Sequence, residues 1–210
     1  MKKIIVSFLV TSLSLLGTED KQVTIKSLQK RGEDGNQLYY LPNQEVPFTG
    51  KAVDYWPSGQ KMTEISYKDG KLHGLKSDWY YNGQKLMEIN YKHGKFHGLW
   101  TDWNMNGTKR FRNTWKDGKK DGLQTEWYKN GQKRLQRIFK GGLTESAMVW
   151  KPDGEKCSMT DVKAGNGIMS KYWDDGAEWL RITYKDGHMT HCTTVYSHTP
   201  PSDMDHLTLE

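Results

Sequence analysis

Apolar and polar residues alternate along most of this chain in short bursts, and glycine cuts each burst off. Residues 74–97, GLKSDWYYNGQKLMEINYKHGKFH, hold two such bursts, the first ended by Asn82-Gly83 and the second by His93-Gly94. Alternation with a period of two is the signature of a strand, and Asn-Gly turns the chain because both residues sit cheaply at positive φ. The stretch reads as a β-hairpin followed by a second turn. The same 24-residue phrase opens at Gly50, Gly74, Gly98 and Gly122; a worn copy opens at Glu145, a sixth at Gly167 and a partial seventh at His191. Self-similarity at a fixed period of this length marks a repeat array, in which each unit packs on its neighbours, and not one core around an enclosed pocket.

With the opening residue counted as zero, offset nine is always glycine: Gly59, Gly83, Gly107, Gly131, Gly154, Gly176. Offset five is Tyr55, Trp79, Trp103, Trp127, Trp150, Tyr172, and offset seventeen is Tyr67, Tyr91, Trp115, Phe139, Val162, Tyr184. The predicted fold is all-β, an elongated antiparallel sheet of tandem hairpins. A three-residue Asn-Gly-Gln loop predicts that odd offsets share one face, with Leu75, Ser77, Trp79, Met87, Ile89 and Tyr91 together. Lys76, Asp78, Tyr80, Leu86, Glu88, Asn90 and Lys92 then form a charged face. The aromatic columns at offsets five and seventeen are expected to be the core that holds the units together, each ring burying roughly 150–250 Å².

Composition sharpens the two ends. The chain has 210 residues with 31 Lys+Arg against 25 Asp+Glu, and its 12% aromatics argue against disorder. Lys2 and Lys3 precede the uncharged run IIVSFLVTSLSLLG, so residues 1–17 read as a secretory signal, too short for a membrane span, and the protein as periplasmic or extracellular. Residues 18–49 lack the repeat and are expected to cap the first edge of an array spanning 50–196; residues 197–210 form a tail after Thr199-Pro200-Pro201. Cys157 is assigned to the second strand of unit five and Cys192 to the first strand of unit seven. Three strands at about 4.8 Å each separate them by about 14 Å, so both are expected as free thiols.

The unit G-x4-W/Y-x3-G-x7-Y-x2-G, with its lead-in Pro47-Phe48-Thr49-Gly50, resembles the MORN repeat family, and within it the bacterial variant of YwqK-type antitoxins. The resemblance covers residues 50–196. It implies a twisted antiparallel sheet of hairpins with a binding role, and neither cofactor nor catalytic residues. Unit five departs from the pattern, with Glu145 in place of glycine and Val162 in place of an aromatic, and a kink or break is expected there.

The chemistry is correspondingly bland. The chain holds no phosphate-binding loop, nucleophile elbow, dinucleotide fingerprint or zinc-protease motif. Offset four forms a carboxylate column, Asp54, Asp78, Asp102 and Glu126, whose members sit about 10 Å apart, too wide for a retaining glycosidase. The offset-eleven lysines, Lys61, Lys85, Lys109 and Lys133, are expected to pair with it across the hairpins. His188, His191, Cys192, His198 and His206 match no regular ligand spacing, and His73, His93 and His97 read as solvated turn residues. The expectation is therefore a protein without enzymatic activity, metal or cofactor. Offset eighteen supplies a lysine column, Lys68, Lys92, Lys116, Lys140, Lys163 and Lys185, and Arg110, Arg112, Arg134 and Arg137 add a local excess, diluted by acids in a way that suits nucleic acid poorly. A protein partner, toxin-like or from the envelope, is expected to meet the even-face rings Trp56, Tyr80, Tyr128 and Trp173 together with Arg110, Arg112 and Arg134, residue types that dominate interfaces. The alternative is an anionic lipid surface met by the lysine and arginine columns.

Overall fold

A computed structural model describes residues 21–195. The secretory reading of residues 1–17, the tail from 197, Tyr196, His198 and His206 therefore lie outside the described residues. Before the array run β1 (Gln22–Thr24), β2 (Gln29–Arg31) and β3 (Leu38–Tyr40). The first three units form β4 (Gly50–Tyr55), β5 (Lys61–Lys68), β6 (Lys71–Trp79), β7 (Lys85–Lys92), β8 (Lys95–Trp103) and β9 (Lys109–Lys116). A two-residue β10 (Lys119–Lys120) leads into unit four, β11 (Gly122–Trp127) and β12 (Lys133–Lys140). Then follow β13 (Leu143–Val149), β14 (Asp161–Lys163), β15 (Asn166–Tyr172), β16 (Glu178–Lys185) and β17 (His188–Thr194).

From β4 onward each strand lies beside the next in one antiparallel sheet, with β10 a short extension on β9. This is the array of hairpins expected from the repeat. At its start β1 joins the edge in parallel, Val23 opposite Ala52, while β2 and β3 pair separately. Phe48, Ala52 and Tyr67 form a buried cluster there, with Val23, Tyr39 and Leu41 packed against it. Gly50 is required at this join. Its φ is +145°, and a Cβ would stand 2.2 Å from the carbonyl oxygen of Lys21, which accepts the Lys51 N–H at 2.8 Å.

The expected division of faces is corrected by a bulge. Trp79 pairs with Lys85 beside the turn, but the next step pairs Asp78 with Met87, leaving Leu86 extra. A bulged residue flips every side chain beyond it to the other face. The shift recurs beside Tyr55, Trp103, Trp127 and Tyr172, so the residue at offset twelve is extra in each hairpin: Met62, Leu86, Arg110, Arg134, Trp179. One face therefore combines even offsets of the first strand with odd offsets of the second. It carries Lys76 and Asp78 beside Ile89 and Met87, and Leu75 and Ser77 lie on the other face with Asn90 and Glu88.

Unit five is where the sheet bends, as its departures from the repeat foretold. Its second strand shrinks to three residues, and β13 meets β14 through the single pair Ala147–Val162. The sheet curls there, because Arg137 on β12 donates to the hydroxyl of Tyr184 on β16 at 3.1 Å. Inside the curl Leu135, Val149, Val162, Met169, Leu180 and Ile182 make the main apolar core. We call this concave side the inner face. Cys157 belongs to the loop ahead of β14 and not to a strand: its N–H bonds the Val149 carbonyl at 2.8 Å and its Sγ lies 3.0 Å from the Tyr172 hydroxyl. Cys192 is exposed on β17, and both thiols are free.

Candidate functional site: the inner face of units two to four

The offset-six rings join one unit to the next. Trp56 Nε1 donates to the carbonyl of Trp79 at 3.2 Å, Tyr80 Oη to that of Trp103 at 2.9 Å, and Tyr128 Oη to that of Trp150 at 2.8 Å. Each ring thus pegs into the backbone at the end of the next unit's first strand. Unit three has Asn104 at this position, and its amide turns back to Thr108 Oγ1 at 2.9 Å. Trp173 stacks on Trp179 with centroids 4.8 Å apart. Of these four rings, expected on the charged face to meet a partner, Tyr128 is only 2% exposed and the others are half-buried.

At offset five the rings are covered by lysines rather than sunk in a core. Lys61 stands over Trp79 at 5.8 Å, Lys109 over Trp127 at 6.0 Å and Lys133 over Trp150 at 5.7 Å. Tyr55 is exposed, Trp103 is half-buried and only Tyr172 is buried. The offset-seventeen column is the true core column at the array's ends, with Tyr67, Phe139, Val162 and Tyr184 buried, while Tyr91 and Trp115 remain half-buried in the middle. The lysine–carboxylate pairing also differs from expectation. Lys61 bonds Glu64 and Lys85 bonds Glu88, whereas Asp78 is met by Lys76 at 3.0 Å and Asp102 by Arg110 at 2.5 Å. Offset eleven lies on the turn side of the bulge, so those lysines are drawn away from the carboxylate column.

Between the two apolar ends, the inner face carries a shelf of rings in units two and three. Phe96 touches Tyr91, Trp100 and Trp115 at 5.2, 5.2 and 5.0 Å, and Trp100 also meets Phe111 at 5.7 Å. All five rings are half-buried. Asp102 binds the shelf at its edge, accepting from Trp100 Nε1 at 2.8 Å and from Arg110 Nη2 at 2.5 Å. Three buried polar atoms of this face, Asp78 Oδ1, Asn113 Oδ1 and Trp115 Nε1, have no protein partner. Buried polar atoms normally find one.

No curated protein matches the chain. The MORN repeat variant matches residues 48–69, 72–93 and 120–140. Those segments contain the first, second and fourth hairpins, in register with the fold above.

The chain carries MORN repeats.

Within the MORN array the structure sorts the sequence-named residues into different places. Arg110 and Arg134, both at the bulge, reach the inner side: Arg110 bonds Asp102, and Arg134 Nη2 donates to the Tyr172 carbonyl at 2.9 Å across the curl. Arg112 pairs with Thr101 and Thr125 on the opposite face and is exposed. The turn lysines Lys68, Lys92, Lys116, Lys140, Lys163 and Lys185 are all exposed. His188, His191 and Cys192 stand exposed along β17, while His73 and His93 meet edge to face at 5.0 Å and His97 Nδ1 lies 3.1 Å from Asp117 Oδ1. Phe96, Trp100 and Phe111 were missed because they belong to no column. Lys76 and Gln124 stand where Trp100 does, and Met87 and Leu135 where Phe111 does. Departure from the repeat was the available signal.

Proposed function

We propose that this MORN array is a non-enzymatic binding module that takes a protein partner along the inner face of units two to four. The observation that carries the reading is the shelf of Tyr91, Phe96, Trp100, Phe111 and Trp115, half-buried and edged by Asp102 and Arg110. Aromatic residues and arginine dominate the energetics of protein interfaces, and rings ringed by paired charges have the make-up of a contact centre. Neither metal nor cofactor is part of this reading. A toxin-like partner or an envelope protein, met outside the cytoplasm, fits the resemblance and the basic, apolar start of the chain.

The test is capture from the envelope of the native host by the full chain, at low and high salt, with wild type beside Trp100→Ala. A single protein held at high salt by wild type and lost by Trp100→Ala is the expected result. Equal capture by both excludes this face.

A second reading, association with an anionic membrane surface, is favoured by the exposed row of turn lysines along one edge. That attraction is screened within about 10 Å at 0.1 M salt, so vesicle binding through these lysines collapses as salt rises.

A further inference from the structure

The curl brings together charges that lie far apart in sequence. Glu126 faces inward from β11, and Gln124 Nε2 donates to its Oε1 at 2.8 Å. Gln124 Oε1 in turn accepts from Arg137 Nε at 3.1 Å, and Arg137 reaches Tyr184. Arg134 ties to the Tyr172 carbonyl beside Lys171, and its Nε is buried without a partner. Lys120 stands over the rings of Trp115 and Phe139 at 5.7 and 5.6 Å. Asp153 and Asp174 lie within electrostatic reach of Tyr128, over whose ring Arg134 stands at 5.4 Å.

Lys171, Arg137 and Arg134 all lie within electrostatic reach of one carboxylate, Glu126, whose hydrogen bond comes from Gln124. Burial alone would push Glu126 up, but Lys171, then Arg137, Arg134 and Lys120, hold its carboxyl below the usual range. Glu126 pulls the Lys171 ammonium up, yet burial and the same three cations bring it below the usual lysine range. A balanced ion pair lowers its acid and raises its base. Here four cations, Lys171, Arg137, Arg134 and Lys120, act on the one carboxylate of Glu126.

We infer that the curl is a docking site for an acidic, extended stretch of the protein partner, whose carboxylates enter between Arg134, Arg137 and Lys171. The inference rests on the partner-binding reading above and adds the chemistry of what is bound. Glu126 shows the class of group the site attracts, a carboxylate in the field of two guanidiniums, and guanidinium forks match carboxylates in a bidentate way. The ring shelf adjoins the site through Trp115, so one extended segment can lie across both.

The experiment uses the full chain and a fluorescein-labelled hexaglutamate peptide, with binding read by anisotropy. Wild type is expected to bind, and Arg137→Gln and Lys171→Gln to weaken binding by about tenfold or more each, the usual loss for a hydrogen bond to a charged group. Glu126→Gln is expected to tighten it, a change of opposite sign that a folding defect does not produce. Arg112→Gln, on the opposite face, is expected to bind as wild type. The inference is overturned by no peptide binding to wild type, by no tightening in Glu126→Gln, or by Arg112→Gln losing as much as Arg137→Gln. Binding to phosphatidylglycerol vesicles but not to peptide, abolished by the same substitutions, overturns it in favour of lipid. Loss of the peptide result while Trp100-dependent capture survives sinks this site alone and leaves the partner reading standing.

Discussion

Arg137 on β12 donates through Nη1 to the hydroxyl of Tyr184 on β16, 3.1 Å away. A flat sheet forbids this contact. Four strand steps at about 4.8 Å would hold the two strands about 19 Å apart. The bond therefore reports the curl directly, and Tyr184→Phe is expected to lower stability by about 1 kcal/mol. Arg137→Ala removes the bonds to Gln124 and Tyr184 together and is expected to do more damage. Chemical denaturation of both variants checks this, and an unchanged midpoint in Tyr184→Phe would mean the curl is held by the apolar core alone.

The junction pegs offer a loss and a gain on the same logic. Tyr80→Phe deletes the bond to the Trp103 carbonyl and is expected to cost about 1 kcal/mol, the net worth of one such bond. Asn104 occupies the same offset in unit three but bonds within its own turn. Asn104→Tyr is therefore expected to raise the thermal midpoint by supplying the absent peg to the Trp127 carbonyl. An unchanged midpoint in Tyr80→Phe would show that the ring, and not its hydroxyl, is what the junction uses.

Two glycines separate backbone strain from collision. Gly118 sits at φ +87° with open space where a Cβ would go, so Gly118→Ala is expected to cost only about 1–2 kcal/mol of left-handed strain. At Gly167, φ is +130° and a Cβ would lie 1.7 Å from the Asp161 carbonyl oxygen, so Gly167→Ala must part β14 from β15. Its loss of stability is expected to be several times larger. Near-UV circular dichroism, which reads Trp173 and Trp179 nearby, distinguishes opening of the curl from global unfolding.

Alkaline pH is expected to unfold the array. Burial raises the hydroxyls of Tyr67, Tyr91 and Tyr172, and raises Tyr128 to about 12, from the ordinary tyrosine value of 10.0. The unfolded chain then loses these protons first. Their stabilisation is complete below pH 10 and lost as pH rises through the folded values. Glu126 has the opposite sign: its depressed folded value adds stability above the ordinary carboxylate range that disappears as pH falls. Denaturation midpoints across pH should fall at both ends, and Tyr128→Phe should flatten the alkaline limb.

What could be read in advance was whatever repeats. The glycines at offset nine, each at positive φ, and the aromatic columns were legible because every unit needs the same turn and the same neighbour contact. Trp100 and Phe111 were not, since each occurs once and nothing in a single strand says which neighbours it will meet. Arg112 and Arg134 looked alike in the chain, yet one bulged residue puts them on opposite sides of the sheet.

The sequence by itself determined the all-β class, the hairpin unit, its turns and the place where the array bends, because those rest on local alternation and glycine conformations. The tertiary structure alone decided which residues share a face and which charges converge. A bulge reverses side-chain direction without a marker in the residue pattern. The curl that joins Glu126, Arg134, Arg137 and Lys171 is set by accumulated twist and by the core of Leu135, Met169 and Ile182, contacts between strands that no local pattern encodes.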